Sequence, residues 1–222
     1  MTNKGKKTHV YFVPGLAASP SIFEFIKLPP ALFEVHLLEW FIPFPKMTLA
    51  DYAIKMNKYI VYENAVLIGV SFGGLLVQEM AKHIRVKKTI IISSVKTSKE
   101  LPNKMRFSSF TGAHKLLPTS LVGNVEFLAK YAFGETVTKR LKLYEKYLDM
   151  RETEYIDWAI DQMVSWKQDQ APDNLVHIHG ENDPVFPIKR IKDCIPVKKG
   201  THAMIIHRAK WFNEHLPTII LQ

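Results

Sequence analysis

Ser71, Asp183 and His202 are the residues whose types and surroundings point to chemistry. Ser71 sits in Gly69-Val70-Ser71-Phe72-Gly73, directly after the apolar run 65–68 and directly before an apolar helical pattern. Strand, tight turn and helix in that order form a nucleophile elbow, which holds its serine in a strained backbone conformation at the strand tip. Glycine suits positions 69 and 73 because a side chain there would collide with a neighbouring strand or helix. A serine hydroxyl is a weak nucleophile near neutral pH. It needs a base, most often histidine, and that histidine needs an acid to fix its tautomer and stabilise its charge. Asp183 follows a strand-like run ending near His179, and His202 lies in the loop after the next strand. The order serine, acid, histidine is the one a parallel sheet with such an elbow uses. Both loops leave the edge of the sheet that presents Ser71.

The competing residues are less well placed. His207 falls inside a helical pattern, and His83, His114, His177 and His215 read as surface or structural residues. No acidic residue follows the strand ending at Ile92, where Ser93-Ser94 stand instead. Cys194, the only cysteine, excludes an internal disulfide and reads as a small apolar residue of a last short strand. No histidine spacing suggests a metal site, and no Gly-x-Gly-x-x-Gly or phosphate loop suggests a nucleotide, so neither metal nor cofactor is expected.

The elements that must position these residues alternate between strand and helix, the signature of a parallel α/β sheet. Strands are expected over 8–13, 33–38, 65–68, 87–92, 175–179 and 194–197. Ser19 or Ser21 is a candidate cap for a helix after the 14–20 loop. Thr48 with Asp51 reads as the capping box of a helix running to about residue 60. Further helices are expected over 73–84, after Pro187, and over 207–216. The alternation breaks from about 97 to 170, where helical patterns cover 125–148 and 152–167. This segment reads as a helical insertion leaving the sheet edge where ligands bind, and so as a small cap. Trp158 and Trp166 within it read as packing residues.

Taken together, three segments resemble the α/β-hydrolase family. They are Gly69-Val70-Ser71-Phe72-Gly73-Gly74, His179-Gly180-Glu181-Asn182-Asp183-Pro184 and Gly200-Thr201-His202. The second is similar to the family's His-Gly-x-x-Asp segment and the third to its Gly-x-His segment. The resemblance runs from about residue 8 to 216, the insertion excepted. It implies a sheet of about six strands, all parallel, with helices on both faces. The family's first two strands have no room here, which leaves one sheet edge less covered. The resemblance also implies an oxyanion hole. One donor would be the N–H of Phe72, and the other that of Leu16, since Val13-Pro14-Gly15-Leu16 is similar to the family's His-Gly-x segment. Glu181 shares the acid's loop but by the family spacing points elsewhere.

The bulk properties agree with an ordinary globular protein. The chain has 222 residues, 47% of them hydrophobic and 23% charged, which suits a single domain over 1–222 with its core at about 8–96 and 171–222. The net charge of +9 is spread widely, and no basic stripe with interleaved aromatics suggests nucleic acid. No apolar stretch reaches the roughly 20 residues of a membrane span, and the basic N-terminus lacks a signal-peptide pattern, so a cytoplasmic protein is expected. The expected activity is that of a cofactor-free, carboxylesterase-like serine hydrolase acting on small carboxylic esters or thioesters. Two alternatives stay open: C–C bond hydrolysis or a lyase reaction with the same triad, and a non-catalytic binding or receptor protein on this scaffold. Substrate-binding residues and oligomeric state carry no sequence signal.

Overall fold

The computed structural model describes residues 7–111 and 145–222. Its centre is a six-stranded sheet, every pairing parallel, in the order β2-β1-β3-β4-β5-β6. The strands are β1 (Thr8–Val13), β2 (Phe33–Leu37), β3 (Val66–Val70), β4 (Lys88–Ile92), β5 (Leu175–Gly180) and β6 (Ile195–Val197). All five residues of β3 are buried, as a near-continuous apolar strand requires when both faces are covered. At the β2 edge Val35 and Leu37 remain 44% and 49% exposed. That is the less covered edge the sequence leads one to expect.

The strand order reverses between β1 and β3. Right-handed crossovers therefore send β1–β2 across one face and every later connection across the other. The second face carries α1 (Leu49–Met56), α2 (Phe72–Ala81) and α4 (Thr153–Ser165), which touch in sequence. The first carries a short 3-10 turn (Pro20–Phe23), α5 (Met204–His207) and α6 (Ala209–Leu221). Asn213 of α6 accepts from Lys27 N–H and donates to Phe25 O, tying α6 to that turn.

Thr48 and Asp51 form the expected capping box at α1. The helix ends at Met56 and continues only as a 3-10 turn, Asn57–Tyr59. Ser19 flanks the Pro20–Phe23 turn without a side-chain cap and bonds Ser21 Oγ instead. The helix expected after Pro187 is reduced to one 3-10 turn, Ile188–Arg190, because Ile191 turns inward and Lys96 Nζ holds the carbonyls of Lys192 and Asp193. Cys194 lies just before β6 and is half-buried. The last helical stretch starts earlier and runs later than expected. It passes through Pro217, because Ile219 and Ile220 stay buried beyond it.

Residues 98 and 168 bring the ends of the intervening segment together. Ser98 N–H donates to Gln168 O, and Gln168 N–H donates to Ser98 Oγ. The Gln168 amide also donates to Gln78 Oε1 and Lys96 O, while the Gln78 amide donates to Gly74 O and Val95 O. Within the segment, α3 (Asn103–Thr111), which carries no clear sequence signal, lies against α4. α4 buries Tyr155, Ile156, Ala159, Ile160, Met163 and Val164, the spacing read from the sequence. Trp158 donates to Met47 O and stacks on Tyr52, and Trp166 donates to Glu79, so both tryptophans pack α4 onto α1 and α2. The helix expected over 125–148 falls, as far as residue 144, outside the described residues, as does His114. No helix among the described residues is long and apolar enough to cross a membrane.

Candidate active site

Ser71 occupies the turn between β3 and α2 with φ 53° and ψ −118°. A non-glycine residue rarely adopts that conformation, which costs about 1–3 kcal/mol. The surroundings impose it. Ser71 N–H donates to Ile92 O at 2.9 Å, and Ser94 Oγ donates to Ser71 O at 2.7 Å. The glycines permit the close approach: a Cβ on Gly69 would overlap the Gly73 carbonyl, and one on Gly73 would overlap the backbone of Pro14 at the end of β1. The serine thus stands at the carboxyl end of the sheet, where strand order reverses and open α/β sheets bind ligands.

His202 and Asp183 arrive at the same edge from the β6 and β5 loops. His202 Nε2 is 2.9 Å from Ser71 Oγ, and His202 Nδ1 is 2.8 Å from Asp183 Oδ2. Ser71, His202 and Asp183 are 9%, 2% and 4% exposed, so water weakens these bonds little. The other carboxylate oxygen, Oδ1, accepts the N–H groups of Val185 and Phe186 at 2.8 and 2.9 Å. Burial raises the Asp183 pKa, but the His202 charge and hydrogen bond, the Phe186 N–H and His179 together hold it below the usual carboxylate range. The acid therefore stays ionised and accepts from His202 Nδ1–H, which leaves Nε2 free to accept from Ser71 Oγ.

A second histidine pair supports the acid's loop. His179 Nε2 lies 2.7 Å from Phe186 O and 3.6 Å from Asp183 Oδ2, and His177 Nε2 lies 3.1 Å from His179 Nδ1. A carbonyl only accepts, so His179 Nε2 carries a proton and its Nδ1 accepts from His177. Burial drives both imidazoles toward the neutral form, with the pKa of His177 well below its ordinary value. Glu181 points away and accepts from Lys199 N–H, and His207 is exposed.

Leu16 lines a narrow cavity with Ser71 and His202, walled also by Ala18, Ile22 and Ile205. Its free volume of about 20 Å³ suits a single water-sized group. Phe72 is the first residue of α2, so its N–H belongs to the helix's first turn and has no intrahelical acceptor. Several residues that hold the Leu16 loop carry no sequence signal. Trp40 Nε1 donates to Gly15 O at 2.9 Å. Ser19 N–H donates to Tyr147 O, and Met150 N–H donates to Ala17 O. Only the fold brings those partners together.

The histidine spacing suggested no metal site, yet His9, Glu34 and His36 place their polar atoms within 4.8 Å of one another. Spacing along one element cannot reveal a cluster shared by two paired strands.

No protein-family model and no curated protein sequence matches the chain. Solved structures do. An enol-lactonase from Burkholderia xenovorans is 13% identical with a TM-score of 0.69, covering 99% of this chain and 94% of that one. A bromoperoxidase from Bacillus anthracis is 15% identical with a TM-score of 0.67, covering 98% and 93%. A carboxylesterase structure from Nitrososphaera gargenis is 13% identical with a TM-score of 0.69, covering 97% and 90%. Six parallel strands in this order, an elbow at the reversal point and overlap along nearly the whole chain identify the α/β-hydrolase fold.

Proposed function

We propose that this protein is a serine hydrolase that cleaves small carboxylic esters or thioesters without a cofactor. The observation that carries the reading is the unbroken chain from Asp183 Oδ2 through His202 to Ser71 Oγ, with both bonds under 3 Å. In this mechanism His202 Nε2 takes the Ser71 proton as Oγ attacks the carbonyl carbon. Asp183 keeps the Nδ1 proton in place and balances the imidazolium. The tetrahedral oxyanion is held by the N–H groups of Leu16 and Phe72, preorganised donors that each lower the barrier by about 3 kcal/mol. His202 then returns the proton to the leaving group. Water, activated by the same histidine, releases the acyl group from Ser71.

Ester chemistry is favoured by the apolar, narrow cavity beside Ser71 and by the lactonase and carboxylesterase among the structural neighbours. The segment between residues 98 and 168, clamped at its base and returning along the Leu16 loop at Tyr147–Met150, is the cap in this reading. Its described ends lie beside the sheet's carboxyl edge, which in this reading makes it the part that selects substrates.

The test is hydrolysis of p-nitrophenyl acetate and butyrate by the wild type and Ser71→Ala. The expected result is turnover in the wild type and background rates in the variant, whose circular dichroism is unchanged. A fluorophosphonate probe should label the wild type rapidly and the variant not at all. Folded wild-type protein that neither turns over esters nor takes the label would instead be a binding protein on this scaffold.

A further inference from the structure

His9 and Glu34 face each other across the β1–β2 pairing, and Tyr11 faces His36. Because strand side chains alternate, Glu34 and His36 share one sheet face with His9. The three side chains converge at the amino end of β1, whose carboxyl end leads into the Leu16 loop. His9 Nδ1 lies 3.1 Å from His36 Nε2, Glu34 Oε2 lies 3.9 Å from His9 Nδ1, and Glu34 Oε1 lies 3.8 Å from His36 Nε2. We propose that His9, Glu34 and His36 form a binding site for one divalent transition-metal ion of zinc-like character.

The separations fit the ion. Tetrahedral donors about 2.1 Å from a zinc ion lie about 3.4 Å from one another. The facing imidazole nitrogens, 3.1 Å apart, are close to that value, and with one Glu34 oxygen as the third donor the three atoms lie within 4.8 Å of one another, so rotation of the half-exposed Glu34 side chain completes the geometry. Both imidazole rings are already oriented. Tyr62 stacks on His9 with ring centroids 3.5 Å apart and planes 5° apart, and Tyr11 stacks on His36 at 4.3 Å. Tyr11 is in turn fixed by the Val61 N–H donated to its hydroxyl. The donor set is two imidazoles and one carboxylate, which favours Zn²⁺, Co²⁺, Ni²⁺ or Cu²⁺ over Mg²⁺ or Ca²⁺. When both rings are neutral, one proton occupies the gap between the facing nitrogens. Metal binding moves it to the outward nitrogen of the same ring, leaving two lone pairs and one carboxylate for the ion. The fourth position belongs to water. The site lies on the partly exposed edge of the sheet, with the side chains of His9, His36 and Glu34 11%, 24% and 44% exposed, so an ion can reach it. Because β2 pairs, among the described residues, only with β1, a bound ion would clip this edge strand to its neighbour.

The experiment titrates the full chain, stripped with a chelator, with ZnCl₂ in a calorimeter, and repeats the titration with MgCl₂. Saturable binding of one Zn²⁺ per chain is expected, with a raised thermal midpoint and no saturable Mg²⁺ binding. Co²⁺ should give visible absorption bands in the wild type. Glu34→Gln and His36→Gln should each weaken Zn²⁺ binding by at least about tenfold. Cys194→Ser and His207→Gln should leave it unchanged. Glu34 is half-exposed, so its variant decides the matter even where the histidine variant folds poorly. The proposal is overturned by absence of saturable Zn²⁺ binding, by equal affinity for Mg²⁺, or by affinity unchanged in Glu34→Gln.

Discussion

Asp183 divides its two oxygens between different tasks, and a single-atom change separates them. Oδ1 accepts two backbone N–H groups and Oδ2 faces His202 Nδ1. In Asp183→Asn the amide oxygen must stay with the two N–H donors, since an NH₂ group there would meet donors head-on. The NH₂ then points at His202 Nδ1 and forces that nitrogen to accept. The His202 proton moves to Nε2, which can no longer take one from Ser71. Under the proposed mechanism kcat for p-nitrophenyl acetate should fall by about 10⁴-fold with the fold intact. A loss of less than tenfold would show that the Ser71–His202 bond does not act in the rate-limiting step.

At the scale of elements, the weak point is the buried amide pair that closes the 98–168 segment. Gln168→Ala removes the donor to Gln78 Oε1 and Lys96 O and leaves the buried Gln78 Oε1 without it. An unsatisfied buried polar group costs about 1–3 kcal/mol, so urea unfolding should show a loss of that size. If the segment is the cap, esterase KM should rise as well, because the returning stretch at Tyr147–Met150 is tied to the Leu16 loop. A stability loss with KM unchanged would mean that the clamp supports packing alone. The strands around this clamp were legible from composition, because a parallel sheet demands continuous buried runs such as 66–70. The order of Ser71, Asp183 and His202 was legible too, since loops at one sheet edge meet whatever their separation along the chain. Contacts between distant side chains were not legible. Nothing local marks Gln78 as the partner of Gln168, Trp40 as the support of Gly15, or His9 as the neighbour of Glu34. Helix ends also misled: the last helix is expected to close at residue 216, yet burial of Ile219 and Ile220 carries α6 past Pro217 to Leu221.

The whole molecule carries the consequence of burying His177, His179 and Asp183 together. Burial holds the pKa of both histidines below their ordinary value of 6.5, despite Asp183 facing His179. His177 also faces Lys96, and His179 faces His202, both of which oppose protonation. The unfolded chain therefore binds protons near pH 6.5 that the native chain refuses. Stability rises with pH wherever the unfolded state binds more protons, so it must fall as pH drops below about 6.5. Asp183 acts in the same direction at lower pH. Its native pKa lies below 3.8, so its contribution is present above that value and is lost as pH falls through the native one. Each excess proton taken up by the unfolded chain adds at most about 1.4 kcal/mol per pH unit to the slope. The expected profile of unfolding free energy is flat from pH 8 to 7 and falls steadily from about pH 6.5 downward. In His177→Gln, where an amide N–H can still donate to His179 Nδ1, the decline between pH 6.5 and 5 should become shallower, by up to about 1.4 kcal/mol per unit. An identical slope in wild type and variant would mean that His177 protonates alike in both states. Any acid lability would then have to come from other groups.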